Sequence, residues 1–188
     1  MADNGKKVIF LDRDGTLNVD KHFVHRVEQV ELFDGAADAL RIFEGAGYLL
    51  AVVTNQSGVA RGRFPEADVQ TVNNYLRTIL SEQGVHLRAM VYCPYHVEGT
   101  VPKYAIDSEC RKPNIGMAKQ VEAQVGAIDY AKSWAIGDKI TDHEFGVKLG
   151  ARTALLRSEY WTQAPTNPAP TLVVNSLLEA AQKIKTIP

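Results

Sequence analysis

The chain has two cysteines, Cys93 and Cys110, among its 188 residues. That is too few for a disulfide framework, and one bridge between them is the most the count allows. It lacks a surplus of either charge: 21 Lys and Arg stand against 22 Asp and Glu, a formal net charge of −1. Proteins held to nucleic acid or anionic membrane by bulk electrostatics need a basic surplus, so neither is an expected partner. It also lacks long apolar runs. None approaches the ~20 residues of a membrane span. The first, Val8-Ile9-Phe10-Leu11, stops at Asp12, short of the roughly 7–15 apolar residues of a secretory leader. A cytoplasmic protein is the expectation. There is no internal repeat and no low-complexity tract. With 45% hydrophobic residues and balanced charge, intrinsic disorder is excluded. The length suits one domain over residues 1–188, and a monomer is expected.

What is present is alternation. Short apolar runs at 8–11, 49–53, 89–92, 134–136 and 153–156 read as buried strands, with 172–174 a weaker sixth. Helix-period stretches lie between them. One follows Asp34-Gly35; another opens at Pro65-Glu66 with the stripe Val69, Val72, Leu76, Ile79 and Leu80; a third spans 116–125; a fourth begins after Thr141; a last follows Ser176. Strands apolar on both sides, alternating with helices, predict an α/β fold with a mostly parallel sheet covered on both faces. Two stretches break the rhythm, 94–113 and the proline-rich 158–170. Irregular segments of that length tend to carry function.

In open parallel sheets ligands bind beyond the carboxyl ends of the strands. The residues found there are Asp12-Arg13-Asp14-Gly15-Thr16, Thr54-Asn55-Gln56-Ser57-Gly58 and Gly137-Asp138-Lys139-Ile140-Thr141-Asp142, with Lys112 closing the first irregular stretch. Asp12 and Asp14, two apart, share one side of an extended chain. At ~4 Å like charges repel by ~1–4 kcal/mol, so the pair calls for a proton or a cation. With Asp138 added, Mg²⁺ fits, since it favours a few carboxylates plus substrate phosphate. One carboxylate can then attack phosphorus while its neighbour protonates the leaving oxygen. Lys112 and the Thr54 hydroxyl suit the equatorial phosphoryl oxygens. A calcium loop is excluded: counted from Asp12, its sixth and twelfth places hold Leu17 and Phe23 instead of Gly and Glu.

Asp12-Arg13-Asp14-Gly15-Thr16, Thr54-Asn55, Lys112 and Gly137-Asp138 followed by Asp142 resemble, in order, the four motifs of the haloacid-dehalogenase (HAD) phosphatases. The resemblance covers nearly the whole chain. It implies a Rossmann-like three-layer fold without a large cap domain, an aspartyl-phosphate on Asp12, Asp14 as acid then base, and Mg²⁺ held by Asp12, the Asp14 carbonyl and Asp138. Asn18, Gln56-Ser57-Gly58 and Cys110-Arg111-Lys112-Pro113 make the chain similar to the small capless branch. Its members act on heptose bisphosphates or histidinol phosphate, so a small phosphorylated sugar is the expected substrate. The same resemblance sets Arg13, Asp20, Lys21, His22, Phe23, Asn55, Gln56, Ser57, Arg111 and Lys139 against the substrate, Arg111 as reader of a far phosphate.

Relatives carry a zinc loop of the form Cys-x-His paired with Cys-x-Cys. Here Tyr95 and Ser108 replace two of those ligands, leaving Cys93, His96 and Cys110 as its remnant. Structural zinc sites are four-coordinate, so zinc is not expected, and a loop held by packing is. His22, His25, His86 and His143 show no metal spacing and read as loop or surface residues, as Asn73-Asn74 reads as helix surface. Tyr160-Trp161 reads as loop packing, with a substrate-edge aromatic as the alternative.

Overall fold

A computed structural model describes residues 5–187. Six strands, β1 (Val8–Leu11), β2 (Leu49–Asn55), β3 (Leu87–Cys93), β4 (Trp134–Gly137), β5 (Arg152–Leu156) and β6 (Leu172–Val174), form one sheet in the order β3-β2-β1-β4-β5-β6. All pairings are parallel. Five helices connect them: α1 (Ala36–Gly45), α2 (Glu66–Glu82), α3 (Gly116–Val125), α4 (Ile140–Leu149) and α5 (Leu177–Ile184). The α/β class and all six expected strands are present. Among the described residues, no helix is long and apolar enough to cross a membrane.

The two-sided apolar character of the strands places the layers. Along β1, Ile9 and Leu11 join Leu40, Phe43, Ala180 and Ile184 of α1 and α5 in one core. Val8 and Phe10 join Met117, Val121 and Phe145 of α3 and α4 in the other. Alternate residues of a strand face opposite ways, so a four-residue strand feeds both cores and is wholly buried.

The chain first builds outward from β1 through β2 to β3, then returns through α3 to put β4 on β1's other edge. Where strand order reverses, the loops leaving adjacent strands diverge and a crevice opens. That reversal lies between β1 and β4, so the loops beginning at Asp12 and Asp138 are neighbours by topology.

Candidate active site

The loop after β1 turns back immediately, with Gly15 N donating to Asn18 O at 2.7 Å and Leu17 N to Arg13 O at 2.8 Å. Gly15 has φ +85°, and a Cβ there would collide with the Asp138 carboxylate. Glycine therefore serves twice, for the left-handed turn and for the approach of the two loops.

Asp12, Lys112, Asp138 and Asp142 are all buried beneath this turn. Lys112 Nζ donates to Asp12 Oδ1 at 2.9 Å and to Asp142 Oδ1 at 2.6 Å. Burial alone would push the Asp12 carboxyl up; the ammonium groups of Lys112 and Lys139 outweigh it and hold Asp12 below its ordinary value. Lys112 moves the opposite way, since Asp12 and Asp142 outweigh its own desolvation and raise it. An ionised carboxylate in a dry site is the result, which a nucleophile requires.

One carboxylate oxygen from each of Asp12, Asp138 and Asp142 lies within 4.8 Å of the others. Their duties differ. Asp142 is fully engaged, its Oδ2 accepting from Lys139 N at 3.0 Å while Oδ1 holds Lys112. Asp138 Oδ1 is buried without a hydrogen-bond partner. Burial, and then the facing Asp12 carboxylate, push Asp138 up to about 8. Around this point Asp12, Asp138, Asp142 and Asp20 face only two ammonium groups, Lys112 and Lys139. With all four ionised, two negative charges would lack a counter-charge among the described residues, and the orphaned oxygen beside them suits a hard dication.

Asp14 faces elsewhere. Its Oδ1 accepts from Arg13 Nε at 3.1 Å and Asn18 Nδ2 at 2.9 Å; its Oδ2 accepts from Arg13 Nη2 at 2.8 Å and Gln56 Nε2 at 2.9 Å. Arg13 was expected against the substrate, but its side chain is fully enclosed, with Nη1 donating to Asn73 Oδ1 at 3.0 Å and Nη2 also to Val24 O at 2.8 Å. A buried guanidinium must satisfy its donors within the protein, and here they go to Asp14 and its supports. Asn73 is likewise buried rather than on the helix surface.

An open cleft of about 190 Å³ adjoins these groups, lined by Asp14, Asp20, His22, Phe23, Asn55, Gln56, Ser57, Lys139 and Tyr160. Seven expected substrate residues are thus together. Asn55 also clamps the Lys112 peptide, accepting from Lys112 N at 3.0 Å and donating to Lys112 O at 3.2 Å. Thr54 lies deeper, its hydroxyl accepting from Gln56 Nε2 at 3.0 Å. Lys21 does not join the cleft lining; it pairs with Glu31 at 2.7 Å on the surface.

Arg111 is partly buried and donates to Tyr95 O at 3.3 Å, with no ion pair to a carboxylate among the described residues. Burial, and then the nearby Arg61, lower its affinity for its proton. Arg61 pairs with Glu98 at 2.9 Å and lies 3.2 Å from His96 Nε2. Cys93 and Cys110 are joined in a disulfide. With His96 turned toward Arg61 and Glu98, the three remnant zinc-loop residues do not assemble into a ligand set. His143 is also not a surface residue: it is buried, its Nδ1 2.8 Å from Thr153 Oγ1 and its Nε2 3.0 Å from Pro168 O.

Three residues of this arrangement are not placed among the site residues by the sequence. Asn73 was legible, since 69, 72, 73, 76 and 80 share one helical face, and all five are buried. Asp142 stood in a motif without a role. Tyr160 carried no signal that separated packing from lining.

The HAD-hydrolase-like family model matches residues 109–180. The D-glycero-beta-D-manno-heptose-1,7-bisphosphate 7-phosphatase of Escherichia coli K12 is 40% identical over 181 residues, covering 94% of this chain and 93% of its own. The Pasteurella multocida protein of that name is 44% identical over 137 residues, 73% of each chain. Among solved structures, a HAD-like phosphatase from Mesorhizobium loti superposes with TM-score 0.81 at 33% identity, covering 96% of this chain and 88% of that one. The D,D-heptose 1,7-bisphosphate phosphatase of B. bronchiseptica, complexed with magnesium and phosphate, gives TM-score 0.76 at 25% identity, covering 95% and 97%.

Proposed function

The chain belongs to the HAD-like phosphatase family and is a phosphoric monoester hydrolase; from that premise we propose that it removes the C7 phosphate of D-glycero-β-D-manno-heptose 1,7-bisphosphate, with Asp12 as nucleophile. The observation that carries the chemistry is the Asp12 carboxylate, kept ionised by Lys112 at 2.9 Å in a buried site. The observation that favours a bisphosphate is Arg111, a partly buried guanidinium with no carboxylate partner and a second cation, Arg61, nearby. A partly buried cation without a carboxylate partner, set near a second cation, is costly without an anion before it. The relatives that match over most of their length carry this substrate in their names.

The steps follow from the residues. An Asp12 oxygen attacks phosphorus, its new O–P bond forming as the bond to the C7 oxygen breaks. Asp14 gives its proton to that departing oxygen. Water then attacks the phosphorus of the acyl phosphate, Asp14 takes the water's proton, and the Asp12 carboxylate is released with inorganic phosphate. Lys112 faces Asp12 throughout and offsets charge on the transferring group. Asp142 fixes Lys112 and caps α4, so the lysine is aimed rather than merely present.

Asp12 and Asp138 are the residues that would hold Mg²⁺, with the Asp14 carbonyl as the family pattern implies. When bound, the ion supplies positive charge to the phosphoryl oxygens. The orphaned Asp138 oxygen and the excess of carboxylates over ammonium groups around it support this assignment.

We read the chain as one catalytic unit that is open at its substrate side. A cleft of about 190 Å³ is below the roughly 300–1,000 Å³ of pockets that enclose a ligand. It accommodates the phosphate and the nearest carbons, leaving the rest of the sugar against the loops. The test is phosphate release with Mg²⁺ across heptose 1,7-bisphosphate, histidinol phosphate and a nucleotide monophosphate. A kcat/KM at least about a hundredfold higher for the bisphosphate is expected; even, weak turnover of all three contradicts the substrate assignment.

A further inference from the structure

The proline-rich stretch after β5 begins by folding back onto the site. Ser158 Oγ donates to the Asp138 carbonyl at 2.6 Å, and Trp161 Nε1 donates to the same oxygen at 3.0 Å and to Leu156 O at 3.1 Å. Two side chains of one short segment thus hold the backbone of a residue whose carboxylate lies in the acidic cluster. Such a staple fixes the residue between them, Tyr160, relative to the site.

Tyr160 is 42% exposed, yet its hydroxyl is not left to water. It donates to Asp20 Oδ2 at 2.8 Å, across 140 positions of sequence. The same oxygen accepts from Lys139 Nζ at 3.1 Å, and that ammonium sits 4.4 Å from the centre of the Tyr160 ring. Tyr160, Asp20 and Lys139 therefore form a closed triangle contributed by the loops after β5, β1 and β4. All three line the cleft, as does Phe23, a non-glycine residue at φ +69°. Holding a bulky residue there costs backbone energy that the surroundings must offset, and such outliers cluster at ligand sites. The wall around the phosphate site thus combines two aromatic rings with a carboxylate. Rings take the C–H edges of a polyol by apolar contact, and the carboxylate accepts from its hydroxyls.

We propose that Tyr160 is a specificity-determining residue, which walls the cleft mouth against the carbon chain of the sugar and, through Asp20, holds Lys139 toward the phosphate end. Together with Phe23, it supplies from a stapled loop contact with the leaving group at an open site. This rests on the sugar-bisphosphate reading above.

The experiment compares wild type, Tyr160→Phe and Tyr160→Ala on heptose 1,7-bisphosphate and on p-nitrophenyl phosphate, whose leaving group has no polyol. Tyr160→Ala is expected to raise KM for the bisphosphate about tenfold or more, while kcat/KM for p-nitrophenyl phosphate falls by no more than about threefold, the share owed to the looser hold on Lys139. Tyr160→Phe keeps the ring and loses one hydrogen bond, so its KM should rise about threefold. Equal changes on both substrates, or none on either, overturn the role of Tyr160 while leaving the phosphatase reading intact. A wild-type enzyme that hydrolyses p-nitrophenyl phosphate and ignores the bisphosphate overturns the substrate reading, and this proposal with it.

Discussion

Arg13 grips its own neighbour, Asp14, with Nε at 3.1 Å from Oδ1 and Nη2 at 2.8 Å from Oδ2, from a side chain that solvent does not reach. Asn18 and Gln56 add one donor to each oxygen. Every favourable acceptor direction of the carboxylate is then used. To carry a proton to a leaving group, one donor must give way. Gln56 is placed to do so, because it also bonds Thr54 and faces the cleft.

The support behind this grip is testable at Asn73, which touches Arg13 but does not line the cleft. Asn73→Ala leaves a buried guanidinium donor unmet, a loss of about 1–3 kcal/mol in stability. Because Arg13 positions Asp14, kcat should fall about threefold to tenfold with KM little changed. Thermal melts and steady-state kinetics on one preparation separate the two effects, and a stability loss with unaltered kcat would show that Asn73 is only structural.

Asp12→Asn removes the nucleophile but keeps an oxygen for Lys112, which also retains Asp142. Turnover should drop to background with the melting temperature and circular dichroism close to wild type. Asp142→Ala is expected to behave differently. It strips Lys112 of one buried anchor, so stability falls by about 3–5 kcal/mol along with activity.

Metal affinity should depend on pH with a definite sign. Asp138 is pushed up to about 8 by burial and by Asp12, so below that pH its carboxyl holds a proton that a cation must displace. Binding of Mg²⁺ by the metal-free protein should therefore tighten by about tenfold per pH unit from 6 toward 8 and level off above it. Calorimetric titration at pH 6, 7, 8 and 9 reads this directly. Affinity independent of pH, or weakening as pH rises, contradicts Asp138 as the site's titrating ligand.

The pair Arg61 and Arg111 should discriminate between substrates. Arg111→Ala is expected to lower kcat/KM for a bisphosphate by about ten- to a hundredfold, the scale of a charge-assisted hydrogen bond, and to spare a simple monophosphate ester. Arg61→Ala should have a smaller effect of the same selectivity, since Arg61 already has Glu98 as partner. Losses shared equally by both substrates would remove the far-phosphate role.

The strands were legible because each is apolar on both faces, and 8–11 and 172–174 coincide with β1 and β6. The chemical groups at the strand ends were legible because topology leaves few other places for them. What the chain does with those groups was less so. Arg13, which the family resemblance sets against the substrate, is long enough to fold inward to Asn73 and Val24. Lys21 lies in the right segment and points to Glu31 instead. Tyr160 and Asp20 meet across most of the chain, and no local pattern encodes a contact of that span. Residue class follows from composition and spacing; side-chain direction follows from tertiary packing.

The central claim is tested most directly by following heptose 1,7-bisphosphate with the wild-type enzyme and Mg²⁺ by ³¹P NMR, with Asp12→Asn in parallel. The account predicts loss of the C7 phosphate ester resonance, growth of inorganic phosphate and persistence of the C1 resonance, with no change in the variant. Loss of the C1 phosphate, or release by Asp12→Asn at the wild-type rate, would contradict it.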